Sequence, residues 1–282
     1  MTLTDLPAPA KLNLFLHITG RREDGYHLLQ SVFMLVDWSD RLHLERRASG
    51  QLSREDLTTP LPADDLILRA ARALQSASGT SWGAHIAVDK QLPAQAGMGG
   101  GSSDAATTLL ALNRLWELNW PLERLLPLGL ALGADVPFFL HGHNAWVEGI
   151  GERIEPVSVP AGHFVVIKPD QGLNTASIFQ DPTLERDCKT ATMADFAAAP
   201  FGFGHNVLQP VAQRVCPAVT QALQWLSSRG LSPRMTGSGS AVFAPCPADW
   251  VLEALPAGWQ GRVCSNLERH PLAGWVSRSG YR

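Results

Sequence analysis

Between Pro93 and Asp104 the chain reads P-A-Q-A-G-M-G-G-G-S-S-D, with glycines at 97, 99, 100 and 101 and serines at 102 and 103. Glycine takes positive φ readily and lets a ligand or another backbone approach without a Cβ between them. A short strand pattern (Ala84 to Lys90) runs into this loop, and a helical pattern leaves it, with Leu109, Leu112 and Trp116 on one stripe. A flexible linker would not sit at such a joint. The unpaired N–H groups and positive dipole end of the following helix suit a phosphate, and Ser102 or Ser103 is the expected helix cap.

The rest of the chain limits what phosphate ligand to expect. Its 282 residues are enough for one large or two modest domains, and 45% hydrophobic content supplies a core. A net charge of −3 argues against general nucleic-acid binding. The cysteines at 188, 216, 246 and 264 form no C-x-x-C pair and have no close histidine in sequence. No resident metal site is therefore expected, and a reducing cytoplasm fits. The longest apolar run, Leu125 to Leu140, is interrupted by Asp135 and Pro137, so no membrane span is expected. Of 23 basic residues only Lys11, Lys90, Lys168 and Lys189 are lysine. A compact ammonium on a flexible stem is distinct from a guanidinium, so these positions draw notice.

Residues 10–19 alternate as a strand, which places Lys11, Asn13, Phe15 and His17 on one face and Leu12, Leu14, Leu16 and Ile18 on the other. Further strands are expected around 29–36 and 41–45, and helices over 64–77 and 122–132. A strand-like segment spans Ala145 to Glu155. The chain turns polar and proline-containing near 156–162 and restarts with the strand F-V-V-I-K-P, so a domain boundary is expected between residues 157 and 158. Helices near 206–214 and 217–228 and a strand–turn over 234–244 follow.

The glycine loop fits none of the common nucleotide signatures. It lacks the Gly-Lys-Ser/Thr of a P-loop, the third glycine of a dinucleotide fold, and the protein-kinase H-R-D and D-F-G. Three other segments accompany it: P-A-K-L-N-L at 9–14, L-G-A-D-V-P at 132–137 and T-G-S-G-S-A at 236–241. In this order they resemble the motif pattern of the GHMP kinases, small-molecule kinases named for galactokinase, homoserine, mevalonate and phosphomevalonate kinases. D-G-Y-H at 24–27, the full P-A-K-L-N-L-F-L start and the F-F that follows L-G-A-D-V-P narrow the resemblance to the branch whose acceptor is a cytidine-diphosphate conjugate of methylerythritol. The likeness runs through N-L-E-R-H-P-L at 266–272. Gln95 and Ala96 stand where that loop usually has glycines, and Met98 where it usually has leucine, so the phosphate-gripping half is Gly97 to Ser103.

The resemblance implies an α+β fold of two domains, residues 1–157 and 158–282, with mixed sheets, packed helices and an active site in the cleft between domains. It implies transfer of a phosphoryl group from ATP to the 2-hydroxyl of the cytidyl alcohol, in the non-mevalonate route to isoprenoids. The alternative is another small alcohol, such as homoserine or mevalonate. Asp135 would be the base and Lys11 its partner; an ammonium beside a carboxylate keeps it ionised and steadies a transferring phosphoryl. The plainer alternatives are that Asp135 caps a helix end and that Lys11 faces solvent from its strand. Pro93, Ala94, Gln95, Ala96, Gly97, Met98, Gly99, Gly100, Gly101, Ser102 and Ser103 would wrap ATP, with Lys90 toward the adenine. Asn13, Tyr26 and His27 would hold the cytidyl alcohol, with Phe203 or Phe201 on the second face of the cytosine. Thr236, Gly237, Ser238 and Gly239 would close the far side. Mg²⁺ would arrive with ATP, and a cytoplasmic monomer or weak homodimer is expected, with no nucleic-acid or membrane partner.

Overall fold

In a computed structural model, which describes residues 1–277, the chain starts with two very long antiparallel strands, β1 (Thr2–Arg21) and β2 (His27–Arg47). Strands β3 (Leu52–Asp56), helix α1 (Leu66–Ser78) and β4 (Gly83–Asp89) follow, then α2 (Gly100–Leu115), α3 (Leu122–Leu132), α4 (Val136–His141), β5 (Ala145–Glu148) and β6 (Arg153–Pro156). These strands form one mixed sheet in the order β3-β4-β2-β5-β6, with β1 paired to β2; only β3 and β4 run parallel. The four helices pack on it through a core that includes Ile67, Leu74, Leu109 and Phe138.

The second sheet is antiparallel throughout, in the order β10-β7-β9-β8. It is built from β7 (His163–Lys168), then, after α5 (Thr175–Gln180), α6 (Met193–Ala198), α7 (Gln209–Val215) and α8 (Pro217–Ser227), from β8 (Arg234–Met235), β9 (Val242–Cys246) and β10 (Gln260–Ser265). We propose the domain boundary at 157/158, in the link between β6 and β7. The chain then returns, since Leu267, Leu272 and Trp275 pack against the core of the first sheet.

Four local expectations change. The strands expected at 29–36 and 41–45 are one strand, because the β1 register jumps from Pro9↔Ser39 to Ala10↔Val36 and a bulge absorbs Asp37 and Trp38. A second shift lies between Asn13↔Phe33 and Leu16↔Ser31. Its extra residue breaks the simple alternation, so Leu16 joins Lys11 and Asn13 on a cavity while Phe15 joins Leu12 and Leu14 in the core. Residues 145–155 are a hairpin, not one strand. Finally, α2 is buried on nearly every side from Ser103 to Leu115, so its expected stripe is a central helix.

Candidate active site

Neither Ser102 nor Ser103 caps α2. The N-cap is Gly99, at φ 74°, and no side chain satisfies the first-turn amides. Those N–H groups stay available to an external anion. Ser103 is buried and its hydroxyl donates to the Pro9 carbonyl at 2.7 Å, whereas Ser102 lines a cavity. A Cβ on Gly99 would stand 3.0 Å from the Phe139 ring and 3.3 Å from the Lys11 stem.

The two glycine turns are one unit. A Cβ on Gly97 would lie 2.3 Å from the Thr236 carbonyl oxygen, and one on Gly237 would lie 2.6 Å from that of Gly97. The amides of Ser240 and Ala241 donate to the carbonyls of Gln95 and Ala96 at 3.2 and 3.3 Å, and the Lys11 amide donates to Met98 O at 2.9 Å. Gln95 adopts φ 51°, a left-handed conformation disfavoured without glycine. Its side chain lies where a Cβ on Gly172 would stand, so this loop packs closely against the chain after β7. Thr236 is buried and its hydroxyl accepts the Asn13 amide at 2.9 Å; Gly237, Ser238 and Gly239 reach the larger cavity.

Two cavities meet at this unit. A larger one of about 910 Å³ is lined by Lys11, Asn13, Tyr26, His27 and Asp135, among others. A smaller one of about 410 Å³ runs along Lys90 and residues 92–102, with Asp65 and Leu66 opposite. Gln95, Gly97 and Gly99 line both. The loop therefore forms a shared wall between two compartments of ligand size.

Lys11 is 4% exposed, and its Nζ lies 3.6 Å from the Asp135 carboxylate. It also donates to Asn13 Oδ1 at 2.5 Å and sits 4.4 Å from the centre of the Phe33 ring. Burial pulls the Lys11 pKa down, and the Asp135 charge pushes it back up. Asn13 Nδ2 donates in turn to Ser31 Oγ at 2.9 Å, so the Asn13 amide is taken up in aiming the ammonium. Asp135 stands at the N-cap of α4 but makes no side-chain cap hydrogen bond. Its carboxylate is left facing the cavity.

Lys90 borders the smaller cavity, and its ammonium is already engaged within the fold. Its ammonium is enclosed by Asp40 and Asp104, both buried, at a close contact and at 2.6 Å. Asp40 Oδ1 accepts the amides of Gln91 and Leu92 at 2.7 and 2.8 Å. This triad fixes the entry to the glycine loop and the first turns of α2. Burial pushes the Asp104 carboxyl up to about 7, against the opposing pull of Lys90.

At the other end of the larger cavity Tyr26 is 59% exposed, so its ring is not packed into the turn. His27 Nε2 accepts a hydrogen bond from Arg186 Nε at 3.0 Å. Burial, then Arg186, then Arg21 hold the His27 pKa down, and with Nε2 accepting from Arg186 the ring proton is assigned to Nδ1. Phe203 and Phe201 do not line this cavity. Phe203 packs edge-on against Phe15 at 5.0 Å and Phe201 against Phe164 at 5.1 Å. The ring that reaches the cavity is Phe179 of α5, 5.4 Å from His27. Sequence reading missed Phe179 and Arg186; the available signal was Asn174, whose side chain caps α5 just before Ile178 and Phe179.

Comparison with known proteins agrees with this geometry. The family model for the GHMP kinases N terminal domain matches residues 65–143, and that for the GHMP kinases C terminal domain matches residues 186–261. A 4-diphosphocytidyl-2-C-methyl-D-erythritol kinase of Albidiferax ferrireducens is 66% identical over 98% of this chain and 96% of its own length. One from Variovorax paradoxus is 64% identical over 97% of this chain and 98% of its own. A crystal structure of a 4-(cytidine 5'-diphospho)-2C-methyl-D-erythritol kinase superposes with a TM-score of 0.82 at 34% identity, covering 94% of this chain and 99% of that one. A homoserine kinase from Cytophaga hutchinsonii shares the fold, with a TM-score of 0.70 at 15% identity over 95% of each chain. The chain belongs to the GHMP kinases, and within them to the 4-diphosphocytidyl-2-C-methyl-D-erythritol kinases.

Proposed function

We infer that this kinase transfers the γ-phosphoryl of ATP to the 2-hydroxyl of 4-diphosphocytidyl-2-C-methyl-D-erythritol, giving ADP and the 2-phosphate. The observation that carries this reading is the shared loop wall between two cavities, with the Lys11–Asp135 pair on the acceptor side. ATP occupies the smaller cavity, with its phosphates over the uncapped start of α2 between Gly97 and Ser102. The alcohol occupies the larger one. As the hydroxyl oxygen bonds to the γ-phosphorus, the bond to the β,γ-bridging oxygen breaks and ADP leaves. Asp135 orients the hydroxyl and accepts its proton late, and Lys11 stabilises charge on the transferring group.

The Ser102 hydroxyl and the Asp135 carboxylate are oxygen donors near the phosphate path, which suits Mg²⁺ arriving with ATP and keeping most of its waters. Bound there, Mg²⁺ neutralises charge on the β- and γ-phosphates. Ser103 is buried outside the cavity lining, which leaves Ser102 as the serine for that role. Cytosine stacks between Tyr26 and Phe179, and the His27 Nδ1–H donates to an acceptor on its amide-like edge. The chain works as a cytoplasmic monomer or weak homodimer. Its four cysteines are free thiols, as a reducing compartment requires, and among the described residues no helix is long and apolar enough to cross a membrane.

ADP release with the cytidyl alcohol is expected to exceed that with homoserine, mevalonate or galactose; equal turnover of any of these would overturn the substrate assignment. Tyr26→Ala is expected to raise KM for the cytidyl alcohol by about two- to tenfold, the worth of roughly 0.5–1.5 kcal/mol of stacking, with KM for ATP unchanged. An unchanged alcohol KM would favour a different acceptor.

A further inference from the structure

A third polar cluster lies beside β1, outside both cavities. A carboxylate oxygen of Glu185, Cys188 Sγ and a ring nitrogen of His205 all lie within 4.8 Å of one another, with Glu185 Oε1 3.6 Å from the sulfur. Next to them is His17, only 8% exposed, whose two ring nitrogens are both buried without a hydrogen-bond partner. A buried imidazole ordinarily has at least one. Its ring centre is 4.8 Å from that of His205. Its Nε2 lies 3.1 Å from where a Cβ on Gly204 would stand.

We propose that Glu185, Cys188 and His205, with His17 as fourth ligand, bind one divalent transition-metal ion, Zn²⁺ by the chemistry of the set. One sulfur, two imidazoles and one carboxylate match the donors that Zn²⁺ takes in tetrahedral geometry, and a thiolate with a carboxylate balances its charge. With Zn–S about 2.3 Å and Zn–N about 2.0–2.1 Å, neighbouring ligand atoms stand roughly 3.3–3.7 Å apart. The Glu185–Cys188 pair is already there. The exposed Glu185 and His205 side chains can turn toward the ion, and His17, outside that 4.8 Å group, joins as the ion draws the donors together. Mg²⁺ does not suit this set, because it demands oxygen ligands.

The backbone holds the donors in place without the ion. Cys188 N donates to Ile18 O at 2.9 Å, and Leu16 N donates to His205 O at 2.9 Å, so both segments are pinned to β1 beside His17. The cysteine coordinates as a thiolate and the imidazoles as neutral rings. Metal binding therefore releases the thiol proton to solvent. The ion ties the excursion from 185 to 205 to β1. That excursion begins beside Arg186, which supports His27. Sequence reading had no signal for such a site, because three separate segments supply the proposed donors and no local spacing announces them.

The test titrates Co²⁺, then Zn²⁺, into the full chain after chelator treatment. One ion per chain is expected, with a thiolate-to-cobalt charge-transfer band and the intense visible bands of a tetrahedral centre, both erased by Zn²⁺. Cys188→Ser removes the charge-transfer band. His205→Ala and His17→Asn weaken binding by about tenfold or more, since even partners outside a ligand set are worth about 10–100-fold. Zn²⁺ also slows amide exchange across residues 185–205. Circular dichroism verifies folding, and the exposed His205 and Glu185 tolerate substitution even if the His17 variant does not fold. Lack of stoichiometric binding, a charge-transfer band that survives Cys188→Ser, or an affinity unchanged by His205→Ala overturns the proposal.

Discussion

Asp135→Asn is expected to lower kcat by about 10²–10⁴-fold while ATP affinity stays within about twofold, the range for removing a general base that does not touch the nucleotide. Asparagine keeps the volume at the start of α4, and the aspartate caps no amide there, so loss of a helix cap cannot produce the effect. A second consequence runs through Lys11. Burial already favours its neutral form, and the Asp135 charge is what opposes this. Without that charge the ammonium beside the phosphoryl path loses its counter-ion. Lys11→Met should therefore give a similar loss, and the double variant little more than either alone, as for groups that act as a unit. Steady-state kinetics with calorimetric ATP binding separates these outcomes. Turnover within about tenfold of the parent would reduce Asp135 to a positioning group.

Much of this site was legible because motif chemistry is local. Lys11, Asn13, Gly97 to Ser102, Asp135 and Gly237 to Gly239 each lie in a short segment whose residue types announce a task. The scarcity of lysine was also informative: Lys11 and Lys168 are buried and Lys90 is nearly so. Lys168 holds the Pro169 and Gln171 carbonyls, and Ser240 Oγ donates to the latter, so this lysine braces the second glycine turn. What stayed hidden depends on contacts between distant segments. Nothing in the run around Gly97 says that its lack of a side chain serves Thr236 as much as a phosphate. The bulge after Asn13 is set by β2, so simple alternation put Leu16 on the wrong face. Phe201 and Phe203 were plausible by position, yet they fill the core against Phe164 and Phe15. Phe179 takes the cavity because α5 carries it there.

Lys90→Met is expected to destabilise the fold by about 3–5 kcal/mol near neutral pH and above, the cost of removing one partner from a buried ion pair. The size follows from what is left behind: Asp40 and Asp104 are 0% and 2% exposed, and Asp104 Oδ1 has no hydrogen-bond partner even with the lysine present. Methionine fills the space of the stem but supplies no charge. The sign of the pH dependence then separates electrostatics from packing. Burial pushes the Asp104 pKa in the folded parent up to about 7, against 3.8 for an ordinary aspartate. Removing the ammonium raises it further, so the folded variant binds a proton that the unfolded chain has released. Stability of the variant must rise as pH falls from above the folded pKa toward the unfolded one, and the gap to the parent must narrow. Urea unfolding at about pH 8 and about pH 5.5 measures both. A gap of equal size at the two values would mean that Lys90 acts through its stem alone. The same variant should bind ATP more weakly at either pH, because Asp40 positions the Gln91 and Leu92 amides that lead the chain into the glycine loop.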